Sequence, residues 1–336
     1  MRIVILTDAW YPQVNGVVRT LDTLRAHLEG RGHEVKMVTP SQFKTLPCPT
    51  YPNIRLAVVR RQRIGRIIDK FMPSAIHIAT EGPLGLHARA HCRRNNYPFT
   101  TAYHTRFPEY VAARAPVPLA LSYAALRWFH GPSSAVMVAT QTIEDALRAR
   151  GFDNIRRWSR GVDTDLFKPR GKDFLDLPRP ISLYTGRIAV EKGIEDFLKL
   201  ILPGTKVLVG DGPQLPELSR KYPDARFLGL KTGEDLARHY AAADVLVFPS
   251  RTDTFGLVLL EALACGVPVA AYPVAGPVDV IGKSPVGVLD SDLGIAVQQA
   301  LNIPAAACRS FAETYSWPAS VDQFLDNIHI FRWFFR

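Results

Sequence analysis

The stretch PSRTDTFGLVLLEALACGVPV, residues 249–269, opens with a turn-prone Pro249-Ser250 and a short polar loop. It changes at Gly256 into an apolar run of good helix formers that stops at Gly266 and Pro268. A helix N-terminus therefore falls at Phe255 to Val258, where backbone N–H groups and the positive end of the macrodipole point the same way and suit an anion. Asp253 lies in the loop before that helix, and Glu261 eight residues later within it. Two carboxylates flanking an anion site suit a ligand with both phosphate and hydroxyls, such as a nucleotide sugar. The alternative is an ordinary strand–loop–helix unit in which Asp253 caps the helix.

Working outward, the same β/α alternation surrounds this stretch. Ile181 to Thr185, Lys206 to Val209, Ala225 to Leu228, Val245 to Phe248 and Val267 to Tyr272 read as strands, with helices at Ile194 to Ile201, Asp235 to Ala242 and Leu293 to Leu301. The polar segment Arg170 to Arg179 reads as a linker, and before it the alternation has already run once. There the strands are Arg2 to Asp8, Glu34 to Pro40, Ile54 to Val59, Ala75 to Ala79, Phe99 to Tyr103 and Ser134 to Ala139. Helices fall at Val17 to Glu29, from Pro83 to Arg94, within Pro108 to His130 and at Thr142 to Arg150, and the Pro-rich Ser41 to Pro52 reads as a loop. The expected class is α/β: two Rossmann-like domains in tandem, with loops at the carboxyl ends of both sheets facing a central cleft.

Composition excludes several classes. At 336 residues and 47% hydrophobic the chain has core enough for two domains. Its four cysteines, Cys48, Cys92, Cys265 and Cys308, stand far apart with no CxxC pair, which argues for reduced cytosolic thiols and against zinc or a disulfide framework. MRIVILTDAW runs directly into a strand without the apolar core of a signal peptide, and the apolar segment Val111 to Ala125 is interrupted by Arg114, Pro116 and Pro118. A cytoplasmic protein is expected, peripheral on the inner face of the membrane if it touches one.

Charge is unevenly divided. Residues 1–168 hold 24 Lys and Arg against 12 Asp and Glu, and residues 169–336 hold 17 against 19, so the excess positive charge lies in the first half. Arg55, Arg60, Arg61, Arg63, Arg66 and Lys70 interleave with Ile64, Ile67, Ile68 and Phe71 at helical spacing. A basic amphipathic helix of this kind suits an anionic membrane surface; the alternative is a surface helix with its apolar face in the core and its arginines in water. Nucleic acid is not an expected partner, since no recognised binding motif or basic–aromatic alternation is present.

Candidate chemistry gathers at strand ends. Gly16, in the loop Pro12-Gln13-Val14-Asn15-Gly16 after the first strand, can let a phosphate approach the backbone or simply start a helix. His104, at the end of Phe99 to Tyr103, is placed to meet a ligand, although lone histidines are often structural. Arg187 and Lys192, five residues apart between Gly186 and Gly193, can neutralise a diphosphate, and such neutralisation matters most in a leaving group.

Pro-Gln-Val-Asn-Gly at 12–16, Tyr-His-Thr at 103–105, Gly-Val-Asp-Thr at 161–164, Gly-Arg with Glu-Lys-Gly at 186–193, Gly-Asp-Gly at 210–212 and the Asp253 to Glu261 stretch occur together and in order. The set resembles retaining glycosyltransferases of family four, and the resemblance covers nearly the whole chain. It implies the GT-B fold, with an acceptor-binding domain at 1–168, a nucleotide-sugar domain at 169–312 and a final segment, 313–336, returning to the first domain. It further implies that Arg187 and Lys192 meet the diphosphate, Gly16 offers its backbone to phosphate, Glu261 holds the ribose, and Gly210 and Asp211 border the base. His104 and Asp253 would lie by the transferred sugar, with the backbone from Thr254 through Phe255, Gly256, Leu257 and Val258 receiving sugar hydroxyls and phosphate.

Asp253 stands where the family usually has Glu, and Trp158-Ser159-Arg160 precedes Gly161 where many members have Asn. Together with Thr-Asp-Thr-Phe-Gly and Tyr-His-Thr-Arg-Phe-Pro, these variants resemble the subgroup of mannosyltransferases and of sulfoquinovosyl- and glucosyl-diacylglycerol synthases. The implied donor is a UDP-sugar or GDP-mannose, the acceptor a lipid or glycan, and no cofactor or metal is expected. Two rivals are a GT-B nucleotide-sugar epimerase and a non-catalytic membrane-binding scaffold. The tail Ile328 to Arg336, with Phe331, Trp333, Phe334 and Phe335, reads as an interfacial anchor or as a docked end.

Overall fold

A computed structural model describes residues 1–13, 15–48, 51–112 and 117–333. The chain divides into two compact units, Met1–Ser159 with Pro318–Arg336, and Arg160–Trp317.

In the first unit the elements run β1 (Arg2–Leu6), α1 (Gly16–Gly30), β2 (Glu34–Val38), β3 (Lys44–Cys48), β4 (Tyr51–Val58), α2 (Arg61–Phe71), β5 (Ala75–Ile78) and α3 (Pro83–Asn95). They continue through β6 (Thr100–Tyr103), α4 (Phe107–Ala112), α5 (Leu119–His130), β7 (Ala135–Val138), α6 (Gln141–Arg148) and β8 (Ile155–Arg157). Six of the strands form a parallel sheet in the order β2-β1-β5-β6-β7-β8. The central strands are continuous apolar runs because helices cover both faces, and Ile3, Val4, Ile5 and Leu6 are fully buried.

One expectation is corrected here. Ile54 to Val59 does not enter the sheet: β4 pairs with β3 in a separate antiparallel hairpin, so much of the segment read as loop is a strand. The basic segment forms a helix, α2, in the second of the two ways open to it: its apolar face is core, with Ile64 and Ile68 fully buried, while Arg61, Arg63, Arg66 and Lys70 are exposed.

Capping explains how the carboxyl edge of this sheet is ordered. The Asn15 side chain accepts from Val17 N–H and Val18 N–H, both at 3.0 Å, and so starts α1. Asp8, just beyond β1, accepts from Leu84 N–H at 2.9 Å, Gly85 N–H at 3.3 Å and the Thr80 hydroxyl at 3.0 Å, supplying the cap that α3 lacks locally. Burial pushes the Asp8 carboxyl up to about 6, against the pull of those three bonds. Between its ordinary value and 6 the folded chain holds a proton that the unfolded chain has released. This group's contribution to stability is therefore greatest at acid pH and is lost as pH rises through 6. In melts from pH 4 to 7, Asp8→Asn is expected to lose that slope relative to wild type; a constant offset between the two would contradict it.

The described part of the tail is docked. Phe331 N–H donates to Ser74 O at 2.9 Å, Trp333 Nε1–H to Pro73 O at 2.6 Å, and both rings pack on Tyr97. Phe334, Phe335 and Arg336 lie outside the described residues, as do Val14, Arg114 and Pro116. The helix α14 (Trp317–Asn327) leads to this tail and buries Val321 and Phe324 in the first unit's core beside Ile3, Ile5 and Trp158.

The second unit comprises β9 (Ile181–Thr185), α7 (Ile194–Leu198), β10 (Thr205–Val209), α8 (Leu215–Lys221), β11 (Arg226–Phe227), α9 (Gly233–Ala242) and β12 (Val245–Phe248). It ends with α10 (Leu257–Ala264), β13 (Val269–Ala271), α11 (Pro277–Val280), β14 (Gly287–Leu289), α12 (Leu293–Ala300) and α13 (Ala305–Ala312). Its parallel sheet has the order β11-β10-β9-β12-β13-β14, in which the strand order reverses at β9. That is the doubly wound Rossmann arrangement, whose ligands sit where loops after β9 and its neighbours diverge. The unit begins earlier than the expected linker because the chain is already tied to it: Val162 N–H donates to Tyr315 O at 3.0 Å. All described cysteines outside the hairpin, Cys92, Cys265 and Cys308, are buried and free.

Candidate active site

Three loops of the second unit are stitched together at the carboxyl ends of β9, β10 and β12. After β9, Gly186 N–H donates to Val209 O at 3.0 Å and Ile188 N–H to Asp211 O at 2.9 Å, which holds the first loop to the second. Gly210 lies so close that a Cβ there would sit 1.8 Å from Gly186 O, and its φ of +154° is one that L side chains rarely adopt. The loop after β12 closes on the first from the other side. Thr252 Oγ1–H donates to Glu191 O at 3.2 Å, and a Cβ on Gly193 would lie 2.8 Å from Pro249 O.

On this frame Lys192 and Asp253, from different loops, meet directly. Lys192 Nζ donates to Asp253 Oδ1 at 2.6 Å, with the two side chains 20% and 19% exposed. Asp253 Oδ2 is buried and receives no hydrogen bond among the described residues. Arg187 is half-buried, and its carbonyl accepts from the Tyr184 hydroxyl at 2.8 Å, so the turn that carries the guanidinium is pinned from below.

The helix that opened the sequence reading begins where expected, but not with the cap that reading allowed as an alternative. Gly256 precedes Leu257 with φ +83°, no side chain among the described residues caps α10, and Asp253 is engaged with Lys192 instead. The helix start from Phe255 to Val258 is therefore left without a side-chain cap among the described residues. Phe255 is buried edge-on to Tyr315 at 6.5 Å, while Thr254, Leu257 and Val258 are half-buried.

Glu261 is buried at 3% exposure, and its Oε2 accepts from the Tyr240 hydroxyl at 2.8 Å, which in turn shares a 2.5 Å hydrogen bond with Thr185 Oγ1. Tyr240, Thr185 and Tyr184 were not singled out from sequence: a tyrosine in an apolar helix or strand looks like core, and only its hydroxyl partner shows otherwise. Glu261→Ala leaves the Tyr240 hydroxyl without that acceptor in the core and is expected to cost about 1–3 kcal/mol in urea denaturation. Glu261→Gln, which keeps an oxygen there, is expected to cost less than half as much.

Of the remaining candidates, Asp211 stands in the second of these loops, tied to the first through its carbonyl. Asp211 is exposed and accepts from Gly212 N–H at 2.7 Å. In the first unit Gly16 is the exposed first residue of α1, and His104, just past β6, packs edge-on against buried Trp158 at 5.7 Å. That contact orients the imidazole at the carboxyl edge of its own sheet.

Residues 14–166 match Glycosyltransferase Family 4, and residues 179–303 match Glycosyl transferases group 1. A GDP-mannose-dependent alpha-mannosyltransferase of Mycolicibacterium smegmatis is 30% identical over 86% of this chain and 84% of its own length. The chain belongs to glycosyltransferase family four. A second GDP-mannose-dependent alpha-mannosyltransferase, from Mycobacterium tuberculosis, is similar to this transferase at 28% identity over 99% of the chain and 97% of its own length. Alpha-monoglucosyldiacylglycerol synthase of Streptococcus pneumoniae is 26% identical, covering 81% and 71%. The transferase shares the GT-B fold of sucrose-phosphate synthase from Thermosynechococcus elongatus, with a TM-score of 0.77 over 97% of each chain at 23% identity. It is a hexosyltransferase that uses nucleotide sugars, and no helix among its described residues is long and apolar enough to cross a membrane.

Proposed function

We propose that this transferase moves a hexosyl group from a nucleotide-diphosphate sugar to a hydroxyl of a membrane lipid or glycolipid, with retention at the anomeric carbon. The observation that carries the donor half is the meeting of Lys192 and Asp253, four residues before α10, on loops fixed to one another, the first of which also carries Arg187. Two cationic side chains and a helix N-terminus stabilise the charge that grows on the leaving diphosphate, and they do so without reorganising. The carboxylate of Asp253 beside them accepts from a sugar hydroxyl, and Glu261 serves the ribose. In this reading the leaving diphosphate departs from the face that the acceptor hydroxyl enters, and a phosphate oxygen takes the acceptor proton. No metal is called on, so turnover is expected to survive chelation. GDP-mannose is the donor to test first, because two relatives named for it align with most of this chain.

The acceptor half rests on surface chemistry. Leu46 and Val58, 61% and 56% exposed, share one face of the β3–β4 hairpin with Lys44, and Arg60, Arg61, Arg63 and Arg66 follow directly in sequence. Apolar side chains beside exposed cations suit an anionic bilayer surface, and the diacylglycerol in the name of one relative agrees.

The deciding experiment is thermal stabilisation by UDP- and GDP-sugars, with wild type and Arg187→Ala side by side. One nucleotide shifting the wild type and not the variant fixes the donor class. Transfer to a lipid acceptor, with the anomeric configuration read by NMR, then tests retention. No shift with any of these donors, and no transfer to lipid, would overturn the donor and acceptor proposed here.

A further inference from the structure

Lys192 is engaged by two demands. Its ammonium is held by Asp253 Oδ1 at 2.6 Å, and on the reading above the same ammonium faces the diphosphate. The pair has little room to part, since both side chains are about four-fifths buried and the loops that carry them are clasped through Thr252 and Gly193. A diphosphate arriving at Lys192 therefore meets a carboxylate already neutralising that cation and repelling the anion. Asp253 also has an unmet need, because its buried Oδ2 receives no hydrogen bond among the described residues. A sugar hydroxyl is a donor of the right kind for it, and burying an unsatisfied carboxylate oxygen is costly.

We infer that Asp253 makes the site discriminate between the intact nucleotide sugar and the spent nucleoside diphosphate, and so promotes product release. With the sugar in place, its hydroxyl satisfies Oδ2 and offsets the repulsion between carboxylate and diphosphate. After transfer the sugar leaves on the acceptor, Oδ2 loses its partner, and the repulsion weakens the hold of Lys192 on the remaining diphosphate. The same carboxylate thus reads the sugar through one oxygen and tunes the phosphate-binding cation through the other. The inference rests on the donor reading of Lys192.

The test compares wild type with Asp253→Asn, which removes the charge and keeps the shape, and with Asp253→Ala, which removes both. Affinities for GDP, UDP and the corresponding nucleotide sugars are measured by calorimetry, after melts show each variant folded. Both variants are expected to bind the nucleoside diphosphate about tenfold tighter than wild type, which is about 1.4 kcal/mol. Their affinity for the nucleotide sugar is expected to stay level or fall, and product inhibition to strengthen. In the background of Lys192→Ala, adding Asp253→Asn is expected to tighten diphosphate binding at least as much, because the carboxylate left without its ammonium repels the anion directly. Diphosphate affinity in both variants equal to or below that of wild type would overturn the inference alone. Failure of wild type to bind any of these nucleotides would overturn the donor reading together with it.

Discussion

Replacing Lys192 by alanine is expected to lower turnover about a thousandfold, at the upper end of what losing one preorganised donor to a developing oxyanion costs. The size follows from two effects of the same sign. The leaving diphosphate loses a cation held beside it, and Asp253, no longer neutralised at 2.6 Å, becomes an uncompensated negative charge in the same place. Stability should change much less, because the loops remain joined through the backbone bonds at Gly186 and Ile188 and the bond of the Thr252 hydroxyl to Glu191 O. The check is single-turnover kinetics at saturating donor beside a thermal melt. A melting temperature near that of wild type with lost turnover assigns the loss to chemistry, whereas near-normal turnover would remove Lys192 from this role.

Gly210→Ala should have the largest effect on stability. The new Cβ would meet Gly186 O at 1.8 Å, and neither strand end can yield: Gly186 N–H is bound to Val209 O at 3.0 Å and Gly210 N–H to Gly229 O at 2.9 Å. Overlap with fixed backbone, added to a backbone angle unsuited to alanine, belongs with the exceptional substitutions that cost about 4–5 kcal/mol. Thermal unfolding should move down by at least about 8 °C. A variant that melts like wild type would mean that the loops can separate freely. In that event the glycine would be needed only where a ligand approaches.

What could be read from sequence and what could not divides by distance along the chain. The start of α10, the tandem β/α alternation and the loop bearing Arg187 and Lys192 depend on neighbours within a few residues, through helix propensity, apolar runs and turn glycines. The hairpin was missed because β3, Lys-Thr-Leu-Pro-Cys, carries a proline and little alternation, and its reason to be a strand lies in its partner. Asp8 was legible only as the end of the first strand, because the N–H groups it accepts from lie 76 and 77 residues away. Lys192 and Asp253 were each identified, but their pairing spans 61 residues and no local pattern encodes it. Glu261 was singled out through its spacing from Asp253, while the Tyr240 and Thr185 that hold it were not, because buried hydroxyls leave no periodic trace.

One feature of the chain path bears on how the protein is made. The first unit is built from both ends of the chain, and its core includes Val321, Phe324 and Ile328 from the last helix and its end. During synthesis the ribosome releases the first 159 residues well before those three side chains exist. The second unit, a continuous segment, has everything it needs to fold as soon as Trp317 emerges. The half made first must therefore finish last. Until the closing helix arrives, it holds Ile3, Ile5, Leu21 and Leu24 against an incomplete core, and in that interval it is the half most exposed to aggregation and to chaperones.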